Sequence, residues 1–415
     1  MNNLDKLFDF IQLLQKLKEN KRWGNTSTFI KKESIADHIW KATVMVFLVY
    51  KNMDLKLDLL KILKIALVHD LVEAIAGDTD YHLVYTWQVS KEEKYQNELK
   101  SINEIIAILP EKSWKEIYDL WTEYENWDTE EAKFVKLVEK IESIDHVINN
   151  WYQCIDIPDK IATYLNKPLV RFPELKWLNH CYNNKLKEVF IEGWFEWKGE
   201  YDIKWEFQEF KNFDKIFEFL KLAQKLKETI RYWASPLIEK KDTVAEHCFR
   251  LAFLVLIVQE EYGLDIDILK AINIALFHDI AESITGEIDY ILIYDKKITK
   301  EEKANNELDA IKTIKNMLPE KIWNEVFEFW NLYEKWEIRE AKFVKALDKF
   351  ESISHLLYHW HENFDVAHLI ATYCDKSFKE IPEINGLLVL LKKWLKEEYI
   401  KWGWEWKNEY DYSLN

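Results

Sequence analysis

Apolar residues recur at helical spacing from the start of the chain. Leu4, Leu7, Phe8, Ile11, Leu14 and Leu17 make one stripe, Val44, Phe47 and Leu48 lie on a second, and Leu59, Ile62, Leu63, Ala66 and Leu67 make a third. Steps of three and four put such residues on one face of a 3.6-residue turn. Helix-start signals stand at matching places. Ser34 with Asp37, and Thr243 with Glu246, have the spacing of a capping box just ahead of a histidine, and Ser90 with Glu93 and Thr299 with Glu302 repeat it. Eight Gly and seven Pro in 415 residues are too few for the tight turns of a β-protein. The pattern predicts an all-α protein.

The pattern is also written twice. Residue n in the first half has its counterpart at n + 209. His38 maps to His247, His69-Asp70 to His278-Asp279, Leu109-Pro110-Glu111-Lys112 to Leu318-Pro319-Glu320-Lys321, and Tyr201-Asp202 to Tyr410-Asp411. A solenoid repeat runs roughly 20–50 residues, so this is a whole domain duplicated head to tail. The expected units are residues 1–205 and 210–415. The joining stretch, Asp202 to Lys211, has no Gly, Pro or Ser and is rich in aromatics, so the copies are expected to pack on each other as an internal pseudo-dimer. Trp194, Trp197, Trp402, Trp404 and Trp406 crowd the end of each copy, where they are expected to pack a domain edge or the contact between copies.

Composition changes the picture in three ways. A formal charge of −16 argues against a general binder of nucleic acid or anionic membrane, while leaving room for a local basic pocket around a small phosphate ester. Cys154, Cys181, Cys248 and Cys374 show no C-x-x-C spacing, and none has a cysteine counterpart in the other copy, so they read as reduced thiols. The N-terminus is amphipathic rather than signal-like, and no apolar run approaches about 20 residues. A soluble, cytoplasmic protein is expected.

The candidate chemistry sits in a few short segments. Ala36-Asp37-His38 opens a helix, and Ala66-Leu67-Val68-His69-Asp70-Leu71-Val72-Glu73 follows, then Gly77-Asp78. His69 and Glu73 are four apart and Asp70 and Glu73 three apart, so the three share a helical face. The second copy carries His247, His278-Asp279, Glu282 and Gly286-Glu287. An aspartate buried in an apolar helix costs on the order of several kcal/mol unless a cation or hydrogen bonds compensate. Two imidazoles with carboxylates suit a divalent transition metal such as Mn, Fe, Co, Ni or Zn. A metal-free His–Asp polar network is the competing reading, and recurrence of the set in both copies argues against it.

These segments resemble the HD-domain metal-dependent phosphohydrolases, most closely the 5′-deoxynucleotidase branch. The resemblance rests on Glu33-Ser34-Ile35-Ala36-Asp37-His38, Ala66 to Glu73, Gly77-Asp78, Leu120-Trp121-Thr122-Glu123-Tyr124-Glu125 and Glu131-Ala132-Lys133-Phe134-Val135-Lys136. It implies two tandem HD helical bundles with one divalent metal per copy. The implied ligands are His38, His69, Asp70 and Glu139 in the first copy, and His247, His278, Asp279 and Asp348 in the second. Glu73 and Glu282 match the catalytic glutamate. Asp78 and Glu287 match the aspartate beside the substrate. Arg22-Trp23 matches the nucleotide-contacting pair, whereas Arg231-Tyr232-Trp233 places the tryptophan, Trp233, one residue later. Relatives of this branch associate as dimers.

Each copy has exchanged one family aspartate for glutamate, the first at the last ligand, Glu139, and the second at Glu287. An extra methylene moves a carboxylate by about 1 Å, a misplacement that can cost roughly 10²-fold in rate. The expectation is a nucleotide phosphohydrolase with most activity in the first copy. The alternatives are a nucleotide triphosphohydrolase, a cyclic- or signalling-nucleotide phosphodiesterase, a nucleotide-binding sensor with degenerate sites, and a fusion in which one copy only completes the other's fold. No Gly-rich phosphate loop is present, which argues against an ATP-driven reaction.

Overall fold

A computed structural model describes residues 3–23, 32–53, 55–202, 211–235, 237–359 and 366–412. Most of the joining stretch therefore lies outside the described residues. Every regular element among those described is an α- or 3-10 helix, and the only β-type pairings are two isolated bridges, Lys21 with Ser34 and Ile230 with Thr243. These bridges are counterparts in the two copies.

The stripes in the sequence become buried faces. In the Asn3–Glu19 helix, Leu7, Phe8, Ile11, Leu14 and Leu17 are buried. The Ile35–Met53 helix is buried from Ile35 through Val49, as expected for a central element surrounded on all sides. Its counterpart, Val244–Tyr262, is buried from Val244 through Val258. The capping boxes at Ser90, Thr243 and Thr299 form as expected. Ser34 and Asp37 likewise exchange hydrogen bonds through each other's side chain. Asp58 and Asp267 cap the helices Leu59–Val68 and Ile268–Phe277, which deliver His69 and His278 at their C-terminal ends.

The two central helices pack against each other across the repeat. Phe47 meets Phe277 at a ring distance of 5.2 Å and Phe329 at 6.0 Å. The Trp40 indole donates to the carbonyl of Leu276, and the Thr243 hydroxyl donates to Asp37. The Asn3–Glu19 helix lies between the copies as well: Phe10 packs on Phe253, and Phe8 stacks on Trp394. The tryptophan-rich ends face elsewhere. Trp197 packs on Phe190 and Tyr201, and Trp404 and Trp406 pack on Tyr399, so these clusters close the edge of their own copy, while Trp194 stands almost fully exposed. None of the four cysteines forms a disulfide. No helix among the described residues is long and apolar enough to cross a membrane.

Candidate metal centre

In the first copy three side chains converge. His38 comes from the first turn of the Ile35–Met53 helix, and His69 and Asp70 come from the end of Leu59–Val68 and the turn after it. The two Nε2 atoms are 3.3 Å apart, and Asp70 Oδ2 lies 3.2 Å from His69 Nε2 and 3.7 Å from His38 Nε2. The outer ring nitrogens are already committed. His69 Nδ1 donates to the Ala66 carbonyl at 2.7 Å, and His38 Nδ1 donates to Glu142 at 2.6 Å. A carbonyl oxygen only accepts, so it fixes the His69 tautomer with the Nε2 lone pair directed inward. Two lone pairs and a carboxylate thus face one point. Ligands about 2.0–2.2 Å from a common cation stand about 3 Å from one another, which these separations match. The residues fit a divalent metal.

The second copy repeats the arrangement. His278 Nε2 is 3.0 Å from Asp279 Oδ2, and His247 Nε2 is 3.9 Å from the same oxygen. His278 Nδ1 donates to the Ala275 carbonyl and His247 Nδ1 to Glu351, at 2.9 and 2.5 Å. The fourth expected ligand separates the copies. Asp348 Oδ1 lies 3.3 Å from His247 Nε2, and its Oδ2 accepts from Tyr333. In the first copy the longer Glu139 turns its Oε1 to Tyr124 and Lys140, both at 3.1 Å. In both copies three residues gather without the fourth, His38, His69 and Asp70 in the first and His247, His278 and Asp279 in the second.

Electrostatics follow the geometry. Burial opposes charge on Asp70, but His69 and His38 outweigh it and hold the carboxyl far below its usual range; Asp279 is held down in the same way by His278 and His247. The glutamate one turn on behaves oppositely. Burial, then Asp70 and Asp78, push Glu73 well above the usual range, and burial, then Glu287 and Asp279, do the same to Glu282. Each has one buried oxygen, Oε2, with no hydrogen-bond partner among the described residues. Lys94 and Lys303 raise no comparable counterweight, although Lys303 reaches Glu282 at 3.4 Å.

The flanking residues differ between copies. Asp78 accepts from the Trp23 backbone N–H at 3.1 Å. Glu287, one methylene longer, is near enough to Glu282 to help push that carboxyl up. Arg22 is held by Glu33 at 2.9 Å and Ser143 at 3.2 Å, and Arg231 by Asp242 at 3.2 Å and Ser352 at 2.9 Å. Trp23 is buried at a left-handed φ of 63° and stacks on His146 at 5.9 Å. Tyr232, not Trp233, repeats this: φ is 58°, and the ring stacks on His355 at 5.8 Å. Trp233 is half exposed, and its indole donates to the Glu287 carbonyl. The sequence register of 209 pairs Trp23 with Tyr232, and Trp233 stands one residue beyond it. Arg231, Tyr232, Glu287, Tyr290, Ser352 and Tyr373 line a pocket beside the second centre.

Glu142 and Glu351, the acceptors behind the first histidines, were missed from sequence. The available signal was their position three residues after Glu139 and Asp348, on the same helical face.

Comparison with known proteins gives the family. The HD domain matches residues 14–157 and 223–384, well over half the chain. The 5′-deoxynucleotidase HDDC2 of Mus musculus is 37% identical over 139 residues, 33% of this chain and 66% of that protein. HDDC2 of Xenopus laevis is 37% identical over 172 residues, 41% of this chain and 82% of that protein. The 5′-deoxynucleotidase YBR242W of Saccharomyces cerevisiae is 34% identical over 140 residues, 32% of this chain and 56% of that protein. The chain thus spans slightly under two thirds of the mammalian relatives it matches. A solved structure of a predicted metal-dependent phosphohydrolase from Magnetospirillum magnetotacticum MS-1 aligns with a TM-score of 0.40 at 23% identity, covering 47% of this chain and 99% of its own. With its family match in both halves, the chain belongs to the HD-domain family as a tandem duplication.

Proposed function

We propose that the chain is a metal-dependent phosphohydrolase that removes phosphate from deoxynucleoside 5′-monophosphates or closely related nucleotides. In this reading its halves, about 1–205 and 210–415, form an intramolecular pseudo-dimer with one divalent cation per copy. The observation that carries the reading is the pair of inward-facing Nε2 atoms beside Asp70, an arrangement of acceptors that suits a divalent cation. The 5′-deoxynucleotidase names of the HDDC2 relatives supply the substrate class.

His38, His69 and Asp70 would hold a divalent cation, which when bound would supply the Lewis acidity that lowers the pKa of water and polarises a phosphoryl oxygen. By the family pattern Glu139, and Asp348 in the second copy, would be the last ligands, Glu139 by turning its carboxylate away from Tyr124 and Lys140. Glu73, whose carboxyl burial and its acidic neighbours push up, is the group assigned to give a proton to the leaving oxygen. Asp78 orients the attacking water, and Arg22 with Trp23 positions the nucleotide. Glu282, Glu287, Arg231 and Tyr232 are the second copy's counterparts. Because the second copy has the longer Glu287 where the first has Asp78 engaging the Trp23 backbone, the first copy carries most of the turnover in this reading.

The test is phosphate release on a panel of nucleoside mono-, tri- and cyclic phosphates. Glu73→Ala is expected to lose about 10²–10⁴-fold and Glu282→Ala much less. Loss in Glu282→Ala with Glu73→Ala intact reverses the division of labour. A metal-loaded chain that releases phosphate from none of them is a nucleotide-binding sensor instead.

A further inference from the structure

Behind each centre lies a buried cluster of charge that no step above uses. In the first copy, Glu33 and Glu142 face each other, and with His38 they come close enough to hold a cation of their own. That cation is an ammonium. Lys227 Nζ, from the second copy, lies 2.5 Å from Glu33 Oε2 and 3.0 Å from Glu142 Oε1. The other Glu142 oxygen, Oε2, accepts from His38 Nδ1. The counterpart contact runs the opposite way. Lys18 Nζ, from the first copy, lies 2.7 Å from both Asp242 Oδ2 and Glu351 Oε1, and Glu351 Oε2 accepts from His247 Nδ1. All six side chains are at most 3% exposed. Lys18 and Lys227, Glu33 and Asp242, and Glu142 and Glu351 are matched pairs of the repeat. The same cross-over has thus arisen twice in one chain.

From this we infer that each metal centre is completed by a lysine of the other copy: Lys227 positions His38 through Glu142, and Lys18 positions His247 through Glu351. The inference rests on the metal reading of the histidine cluster. A carboxylate behind a ligand histidine fixes the ring's plane and tautomer. Glu142 can do this only while its own carboxylate is held, and among the described residues its second oxygen has no nearer cation than Lys227. Arg22 and Lys41 stand 3.8 and 3.7 Å away, beyond hydrogen-bond reach, and Lys41 is engaged with Asp145 and Gln224. Glu351 is better supported, since Arg250 at 3.1 Å and Arg231 at 3.3 Å also reach it. The first centre should therefore depend on its borrowed lysine more than the second. Both lysines are positioning residues, and neither half is expected to hold metal normally without the other.

The experiment uses the full chain with one centre silenced at a time: His278→Ala leaves the first centre, and His69→Ala leaves the second. Cobalt affinity by chelator competition, with the visible Co(II) spectrum, is read in each background with Lys18→Met or Lys227→Met added. Lys227→Met is expected to weaken cobalt at the first centre by about 10–100-fold and alter its spectrum, with the second centre unchanged. Lys18→Met is expected to do the reverse, by a smaller factor. Lys227→Arg should recover most of the affinity. General loosening of the fold would weaken both centres together, so the crossed pattern is specific. If a Met variant does not fold, Lys227→Gln or Lys18→Gln, which keeps a donor without the charge, is read in its place. Unchanged affinity at the opposite centre, or equal weakening of both, overturns the inference while the metal reading stands. Failure of both parent backgrounds to bind cobalt overturns the metal reading itself.

Discussion

Phe47 offers a direct test of how the halves are joined. Its side chain is fully buried, and it inserts from the first copy against Phe277 and Phe329 of the second, at 5.2 and 6.0 Å. Its repeat counterpart is Leu256, so a leucine is tolerated in the same frame. Truncating a buried phenylalanine to alanine costs about 3–5 kcal/mol through lost transfer energy and the cavity left behind. Leucine keeps most of the volume, and Phe47→Leu should cost about 1.5 kcal/mol or less. The lost ring pairs, at about 0.5–1.5 kcal/mol each, account for part of the alanine cost. Urea unfolding followed by circular dichroism is the assay, with the midpoint compared at constant slope. The packed interface predicts one shared transition that Phe47→Ala moves as a whole. A cost under about 1 kcal/mol, or two transitions of which only one moves, would refute the reasoning.

Two further outcomes are expected. Glu287→Asp should restore the backbone-directed carboxylate seen at Asp78 and raise phosphate release in a Glu73→Ala background; no gain would mean that the methylene is not what limits the second copy. His355 is buried, and burial together with Lys18 lowers its pKa to about 3. The unfolded chain therefore binds a proton that the folded chain refuses, so stability is lost as pH falls from about 6.5 toward 3. Between pH 6.5 and 5 this group costs about 1.5 kcal/mol, and His355→Gln should flatten the unfolding profile by that amount; an unchanged slope would contradict the assignment.

The all-α class was legible because the apolar stripes and capping residues are local signals, and Ser90–Glu93 or Thr243–Glu246 act within one turn. The histidine–aspartate cluster was legible because the same residues recur at one offset. What the sequence hid is what lies across the fold. Nothing in the Lys18 or Lys227 segment announces a buried carboxylate pair in the opposite copy, because periodicity within a helix says which face is buried and not against what. Glu139 illustrates a second limit. A ligand type can be read from its position, but the orientation of its carboxyl was decided by Tyr124 and Lys140. Tyr232 shows a third: chemical resemblance drew attention to Trp233, while backbone register and the left-handed φ select its neighbour.

The most direct measurement is the metal content of the intact chain, its Asp70→Ala variant and its Asp279→Ala variant, after purification without chelators and incubation with Mn or Co. The account predicts one ion per copy in the parent, loss of only the first copy's ion in Asp70→Ala, and loss of only the second copy's in Asp279→Ala. A parent chain with no bound metal, or variants that keep the parent's full content, would contradict it.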